Sequence, residues 1–328
     1  MSEREDPGHK TPADAGWERE LLKDLAWASL KEQRRARRWG LLTRFLFLGY
    51  LVALLWVFTA DQTEVTLHKP GDQFAAVVDL QGIIAEDSEA SAELVIAALR
   101  DAFEAKGAKG VILRANSPGG SPVQSDYVFN EIRRLREEYP DMPLYAVITD
   151  LCASGCYYIA AAADEIYANP SSIVGSIGVI NAGFGFDEAI RKLGLERRLF
   201  TAGEHKGFLD PFSPLKEEEV VHLRQILGEI HGRFIAAVKE GRGERLKEDP
   251  QLFSGLVWTG ERGRELGLVD GFASVREVAR EKLEVDETRN FTHEEDIWQR
   301  LADRLGVAIG KGVGRALQGS VTPQALSP

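Results

Sequence analysis

The chain has 328 residues, 44% of them hydrophobic, enough for a sizeable core in one large or two modest domains. A formal charge of −11 argues against nucleic acid as the main partner, because phosphate binding needs a basic face. Two cysteines, Cys152 and Cys156, exclude a disulfide scaffold and a Cys-rich zinc site, and the six scattered histidines form no ligand pair at helical spacing, so no metal or cofactor is expected.

Residues 1–13 are polar, carry Pro7 and Pro12, and read as a disordered leader. Residues 15–38 place Trp17, Leu21, Leu22, Leu25 and Leu30 at helical spacing, which predicts an amphipathic helix on a cytoplasmic membrane surface. Residues 39–60 then hold 22 residues interrupted by one charge, Arg44, near their start. A helix of that length spans roughly 30 Å, so a single transmembrane helix is expected, with a buried core helix as the alternative. Lys31, Arg34, Arg35, Arg37 and Arg38 precede this stretch, whereas Asp61, Glu64 and Asp72 follow it. That asymmetry predicts a cytoplasmic N-terminus in the inner membrane and an exported, periplasmic or extracytoplasmic remainder.

After a tether at 61–72, the main domain is expected over 73–285. Strands are predicted at Phe74–Leu80, Gly110–Ala115, Leu144–Ile148, Glu165–Ala168 and Glu196–Thr201. Helices are predicted at Ser91–Ala105, Ser125–Tyr139, Phe186–Leu193, Lys216–Glu240, Gly263–Leu266 and Val275–Lys282. The alternation indicates an α/β fold with βαβ units and a parallel sheet. Residues 286–328 read as a helical extension and tail, with Ile297, Leu301, Leu305 and Ile309 on one stripe.

Three segments carry chemistry. Ser154 follows the strand at Leu144 and opens a helix of small apolar residues, so its hydroxyl is near free amides and the positive helix end. That suits a nucleophile whose attack makes an oxyanion; it equally suits a helix cap. Asn116-Ser117-Pro118-Gly119-Gly120 reads as a sharp turn able to offer oxyanion donors, or as an ordinary β-to-α turn. Thr201 to Gly207 carries Lys206, which becomes a base only when burial removes its charge, and His205 is the rival base.

The series Ser117-Pro118-Gly119-Gly120, Ala153-Ser154-Gly155-x-Tyr157-Tyr158-Ile159-Ala160, Gly175-Ser176-Ile177-Gly178-Val179 and Gly203-x-x-Lys206 resembles the short form of the SppA-type signal peptide peptidases, the S49 serine proteases. The resemblance covers about residues 73–283. It implies a crotonase/Clp-protease-like fold of repeated ββα units behind the membrane helix. It also implies Ser154 as nucleophile, Lys206 as general base, and Ser176 as the residue orienting the lysine. Gly119 or Gly120, together with Gly155, would form the oxyanion hole. Hydrophobic peptides such as signal-peptide remnants are the implied substrates, with membrane lipid beside the site and a homo-oligomer in which the dyad closes within or between subunits. Ile177, Val179 and Ile180 are expected to wall the substrate pocket.

Cys156 stands where the family usually has a second glycine. Two reduced, buried thiols are expected at Cys152 and Cys156; the alternative is a pairing in an oxidising compartment, which would distort the site around Ser154. The rival functions are an acyl-CoA hydratase or isomerase on the same fold, and a protease or catalytically silent scaffold acting on a stomatin-like membrane partner.

Overall fold

The computed structural model describes residues 72–293, the helical residues 37–53, and residues 23, 27 and 35. Two units separate at Lys69/Pro70. In the first, residues 37–53 form helix α1, whose apolar side chains, among them Phe45, Leu48 and Tyr50, are exposed. Among the described residues no helix is long and apolar enough to cross a membrane, and residues 54–60 of the expected span lie outside them. The helix expected at 15–38 falls largely, and the stripe at Ile297 to Ile309 wholly, outside the described residues.

The second unit is built on eight strands: β1 (Phe74–Ile84), β2 (Ala108–Gly120), β3 (Leu144–Ala153), β4 (Glu165–Ala168), β5 (Ile173–Gly175), β6 (Val257–Thr259), β7 (Gly271–Phe272) and β8 (Thr288–Asn290). The order β6-β5-β3-β2-β1-β8 forms the main path, and β4 bridges β3 to β7. All pairings are parallel except β5 with β6. Helices α2 (Ala92–Glu104), α3 (Pro122–Glu138), α4 (Gly155–Ala160), α5 (Asp187–Lys192), α6 (Glu217–Arg242), α7 (Gly260–Glu265) and α8 (Val275–Lys282) connect and cover it. This is the α/β class that the alternation predicts.

The apolar runs sort by parity, as a sheet buried on both faces requires. Phe74, Ala76, Val78 and Leu80 join the larger core with α2, α3, α4 and α6. Ala75 and Val77 face the other way, into a smaller core with Val278 and Ala279 of α8.

The expected strand at Glu196–Thr201 does not form: these residues are exposed and carry no regular structure. Among the described residues no strand of the sheet pairs with them. The strands β5, β6, β7 and β8 were not anticipated. Each has only two or three residues, too few to show a period. β8 comes from the start of the stretch read as an extension and pairs with β1 at Ala75–Val77.

Helix α6 has 26 residues, and its buried apolar positions, Phe234, Ala237 and Val238, all lie in its C-terminal half. There Gly241 passes so close to the carbonyl of Ala161 that any Cβ would collide with it. Beside it the fully buried Arg242 makes two hydrogen bonds to Asp270, at 2.7 and 2.8 Å, and donates to the Gly267 carbonyl. Burial works against the Asp270 charge, but the Arg242 hydrogen bonds and charge, the Ile166 amide and the Arg245 charge together outweigh it and hold this carboxyl below its ordinary range.

Candidate active site

β3 runs directly into α4, and Ser154 is the residue between them. Its backbone sits at φ 54°, ψ −125°, a region L-residues with a side chain rarely adopt. The conformation is held from both sides: the Ser154 amide donates to the Gly175 carbonyl at 2.8 Å, and its carbonyl accepts from the Tyr158 amide at 3.0 Å. The Ser154 side chain makes no capping hydrogen bond. The cap reading therefore fails on geometry, and the hydroxyl is left for other work. A strained strand-to-helix turn that projects a serine is the arrangement of a nucleophile elbow.

The helix behind it is fixed by burial. Every residue of α4 is buried, and Tyr157 donates its phenol to the Leu268 carbonyl at 2.7 Å. Tyr158 bonds Asp126 at 2.8 Å and packs between Phe129 and Phe234, with ring centroids 5.3 and 5.0 Å away. Desolvation pushes both phenols well above their ordinary pKa, with Asp126 adding to the shift at Tyr158.

Gly119 and Gly120 lie against this turn, but as an extension of β2 and not as the sharp turn expected. β2 passes an irregularity near Ser117 and stays paired with β1 through Ile83–Gly119 and Ile84–Gly120. Gly119 has φ 93°, and a Cβ there would stand 2.6 Å from the Ala153 carbonyl, 2.7 Å from the Gly155 amide and 2.8 Å from the Ser154 Cβ. Only glycine permits this approach. It places the peptide of Gly119 beside the first amide of α4, which has no intrahelical acceptor. The Gly119 amide donates to the buried Ser117 hydroxyl at 3.1 Å, so it serves an incoming oxyanion only by giving up that bond.

Ser176 also has positive φ, 52°. It is half-buried and anchored to the 255–256 backbone: its amide donates to Leu256 at 2.8 Å and its hydroxyl to Gly255 at 3.4 Å. Because the preceding carbonyl, that of Gly175, receives the Ser154 amide, the two serines are tied to one peptide.

A cavity of about 120 Å³ opens at Ser154. Val179 and Ile180 line it; Ile177 does not, being fully buried in the core with its carbonyl 3.1 Å from His231 Nε2. Five further residues line it that are outside the expected set: Pro122 of α3, Tyr158 of α4, Gly178, and Ile230 and Phe234 of α6. The four-residue spacing of Ile230, Phe234 and Val238 within the predicted helix was the available signal.

Lys206 is not brought to this cavity. It is exposed, on a turn where its amide donates to the Gly203 carbonyl at 3.2 Å. His205 is exposed too, in a separate cleft with Phe208 and His222. A larger cleft of about 880 Å³ lies among residues 181–223 and does not contain Ser154.

The two cysteines are joined in a disulfide, Cα atoms 5.1 Å apart, which corrects the expectation of free thiols. Both are fully buried, and the turn between them is tight enough to bring the end of β3 and the second residue of α4 into bonding range. The bridge coexists with the serine elbow and the glycine approach just described.

A family model described as peptidase family S49 matches residues 137–289, a span that holds Ser154, Ser176 and Lys206. The chain is 49% identical over 182 residues to a protein named Na(+)/H(+) antiporter NhaA from Brucella abortus, a match covering 56% of this chain and 25% of that protein. It therefore spans about a quarter of the length of that relative. It is 32% identical to the putative protease MJ0651 of Methanocaldococcus jannaschii, across 64% of this chain and 69% of that one. It is 30% identical to a putative signal peptide peptidase SppA of Enterococcus faecium, across 63% and 62%. With the serine elbow and the glycine approach, these matches make the chain an SppA-type member of peptidase family S49.

Proposed function

We propose that the protein is a membrane-anchored serine endopeptidase using Ser154 and Lys206, acting on hydrophobic peptides such as signal-peptide remnants at the outer face of the inner membrane. One observation carries this reading: a serine in a strained strand-to-helix turn, its hydroxyl unspent, with a glycine backbone pressed against the next amide.

In this mechanism neutral Lys206 Nζ accepts the Ser154 proton while Oγ attacks the peptide carbonyl. The Gly155 amide, with that of Gly119 or Gly120, holds the tetrahedral oxyanion. The lysine passes its proton to the leaving amine, then activates the water that frees the acyl-enzyme. Ser176 orients the lysine amine. Val179, Ile180, Ile230 and Phe234 select small or hydrophobic substrate side chains, in keeping with a cavity of about 120 Å³.

The lysine reaches the serine when copies of the chain assemble, because a lysine works as a base only when water is removed from it. Two features favour assembly around this segment: Lys206 is exposed in the single chain, and so are large apolar residues of the same stretch, Phe200 at 91%, Phe184 at 82% and Leu193 at 74%. The apolar run at 39–60 and its flanking charges support the anchor and its orientation.

Labelling the purified protein with a serine-directed acylating probe, followed by peptide mapping, tests the nucleophile. The label is expected on Ser154 and absent in Ser154→Ala. A label elsewhere, or one that survives the substitution, would refute the assignment.

A further inference from the structure

We propose that the Cys152–Cys156 disulfide is a positioning element of the reaction, holding the Ser154 turn in its attacking conformation. The proposal rests on Ser154 being the nucleophile.

The bridge closes a five-residue loop whose middle residue is Ser154. One end sits in β3 and the other in the first turn of α4, so it ties the two elements whose junction carries the unfavourable backbone angles. Strained residues persist only where the surroundings leave them no relaxed alternative. The elbow has two noncovalent restraints, its bonds to Gly175 and Tyr158, and the disulfide adds a covalent one. Cys152 is also the register partner of Ser117, whose hydroxyl receives the Gly119 amide. The staple thus anchors the strand pair that sets the glycine approach as well as the serine. Both cysteines are sealed from solvent, which suits a fixed element more than a freely exchanging pair.

Reduction by a dithiol such as dithiothreitol releases it. One reagent thiolate attacks a protein sulfur, the Cys152–Cys156 bond breaks, and a mixed disulfide forms. The second reagent thiol then displaces it, leaving cyclic oxidised reagent and two protein thiols that take up the reagent's two protons.

The test uses the full-length protein purified without reductant. Intact mass is expected to show it lighter by two hydrogens than its reduced form. Reduction is expected to lower kcat about 10- to 100-fold with KM little changed, the size of effect that a small misplacement of a reacting group produces. Reoxidation should restore kcat, and Cys152→Ala/Cys156→Ala should reproduce the loss without needing reagent access. Hydrogen exchange over residues 152–158 should quicken in the reduced protein. Two free thiols in the untreated protein would overturn the proposal. So would a reduced protein whose kcat and exchange both match the oxidised one. Activity that persists in Ser154→Ala would instead defeat the peptidase assignment, and the exchange measurement would still decide whether the bridge holds the turn.

Discussion

Residues 144–180 and residues 181–215 sit side by side in the sequence and are built on opposite terms. The first stretch is mostly buried, and its turns are fixed by hydrogen bonds, a disulfide and close backbone approach. The second has one six-residue helix with no buried residue and leaves Phe184, Leu193 and Phe200 in solvent. A nucleophile in a strained turn needs a rigid frame from its own chain. A lysine that must lose its water can take its cover from another. In the proposed mechanism the rigid half of the chemistry belongs to one chain and the base comes from the assembly.

The sharpest way to break this comparison is to remove each chemical group. Ser154→Ala and Lys206→Ala should each lower kcat on a hydrophobic peptide by on the order of 10⁴-fold or more, with unchanged thermal unfolding. A large loss from His205→Ala with Lys206→Ala active would reverse the choice of base.

Gly119→Ala probes the rigid half. A methyl placed 2.6–2.8 Å from the Ala153 carbonyl, the Gly155 amide and the Ser154 Cβ must push the end of β2 away from the Ser154 turn. Loss of one oxyanion donor costs about 10²–10³-fold in kcat, and that loss is expected here. A fully active variant would show that the close approach is incidental.

Asp270→Ala tests the frame behind α4 by leaving Arg242 charged, buried and unpaired, at a cost of about 3–5 kcal/mol in denaturant unfolding. By contrast, Phe200→Asp in the exposed segment should leave single-chain stability within about 0.5 kcal/mol and reduce the assembly size seen by sedimentation. Equal destabilisation by both would erase the distinction between the two regions.

The smallest effect concerns pH. Hydrogen bonds from Arg134 and then Arg100 lower the Glu131 carboxyl from 4.5 to about 2. A carboxyl depressed by folding stabilises above its unfolded value, and the benefit fades as pH falls from about 4.5 toward 2. Glu131→Gln should flatten that part of the acid unfolding profile and leave neutral stability lower.

The same division decides what could be read from the residues alone. β4 and α8 fall where their patterns place them, because the short apolar run Ile166–Ala168 and an amphipathic stripe over Val275–Lys282 reflect burial within one chain. The elbow was visible as small residues around Ser154, and the glycine approach as the pair after Pro118. What stayed hidden depends on distant partners. β5 exists because β6 meets it from more than eighty residues away, and Ile230 and Phe234 reach the cavity only by the path of α6. Glu196–Thr201 looked like a strand because Leu199 and Phe200 are apolar, and here they face solvent. The spacing of Cys152 and Cys156 does not show whether a bridge around Ser154 deforms it; in the fold the bridge and the elbow are compatible.

Mixing separately purified Ser154→Ala and Lys206→Ala chains, dissociating them and letting them reassemble together tests the division of labour most directly. If the base crosses from a neighbouring copy, mixed assemblies contain junctions where an intact serine meets an intact lysine, and peptide cleavage returns to a sizeable fraction of the native rate. Mixed assemblies of native size that stay as inactive as either parent would contradict the account.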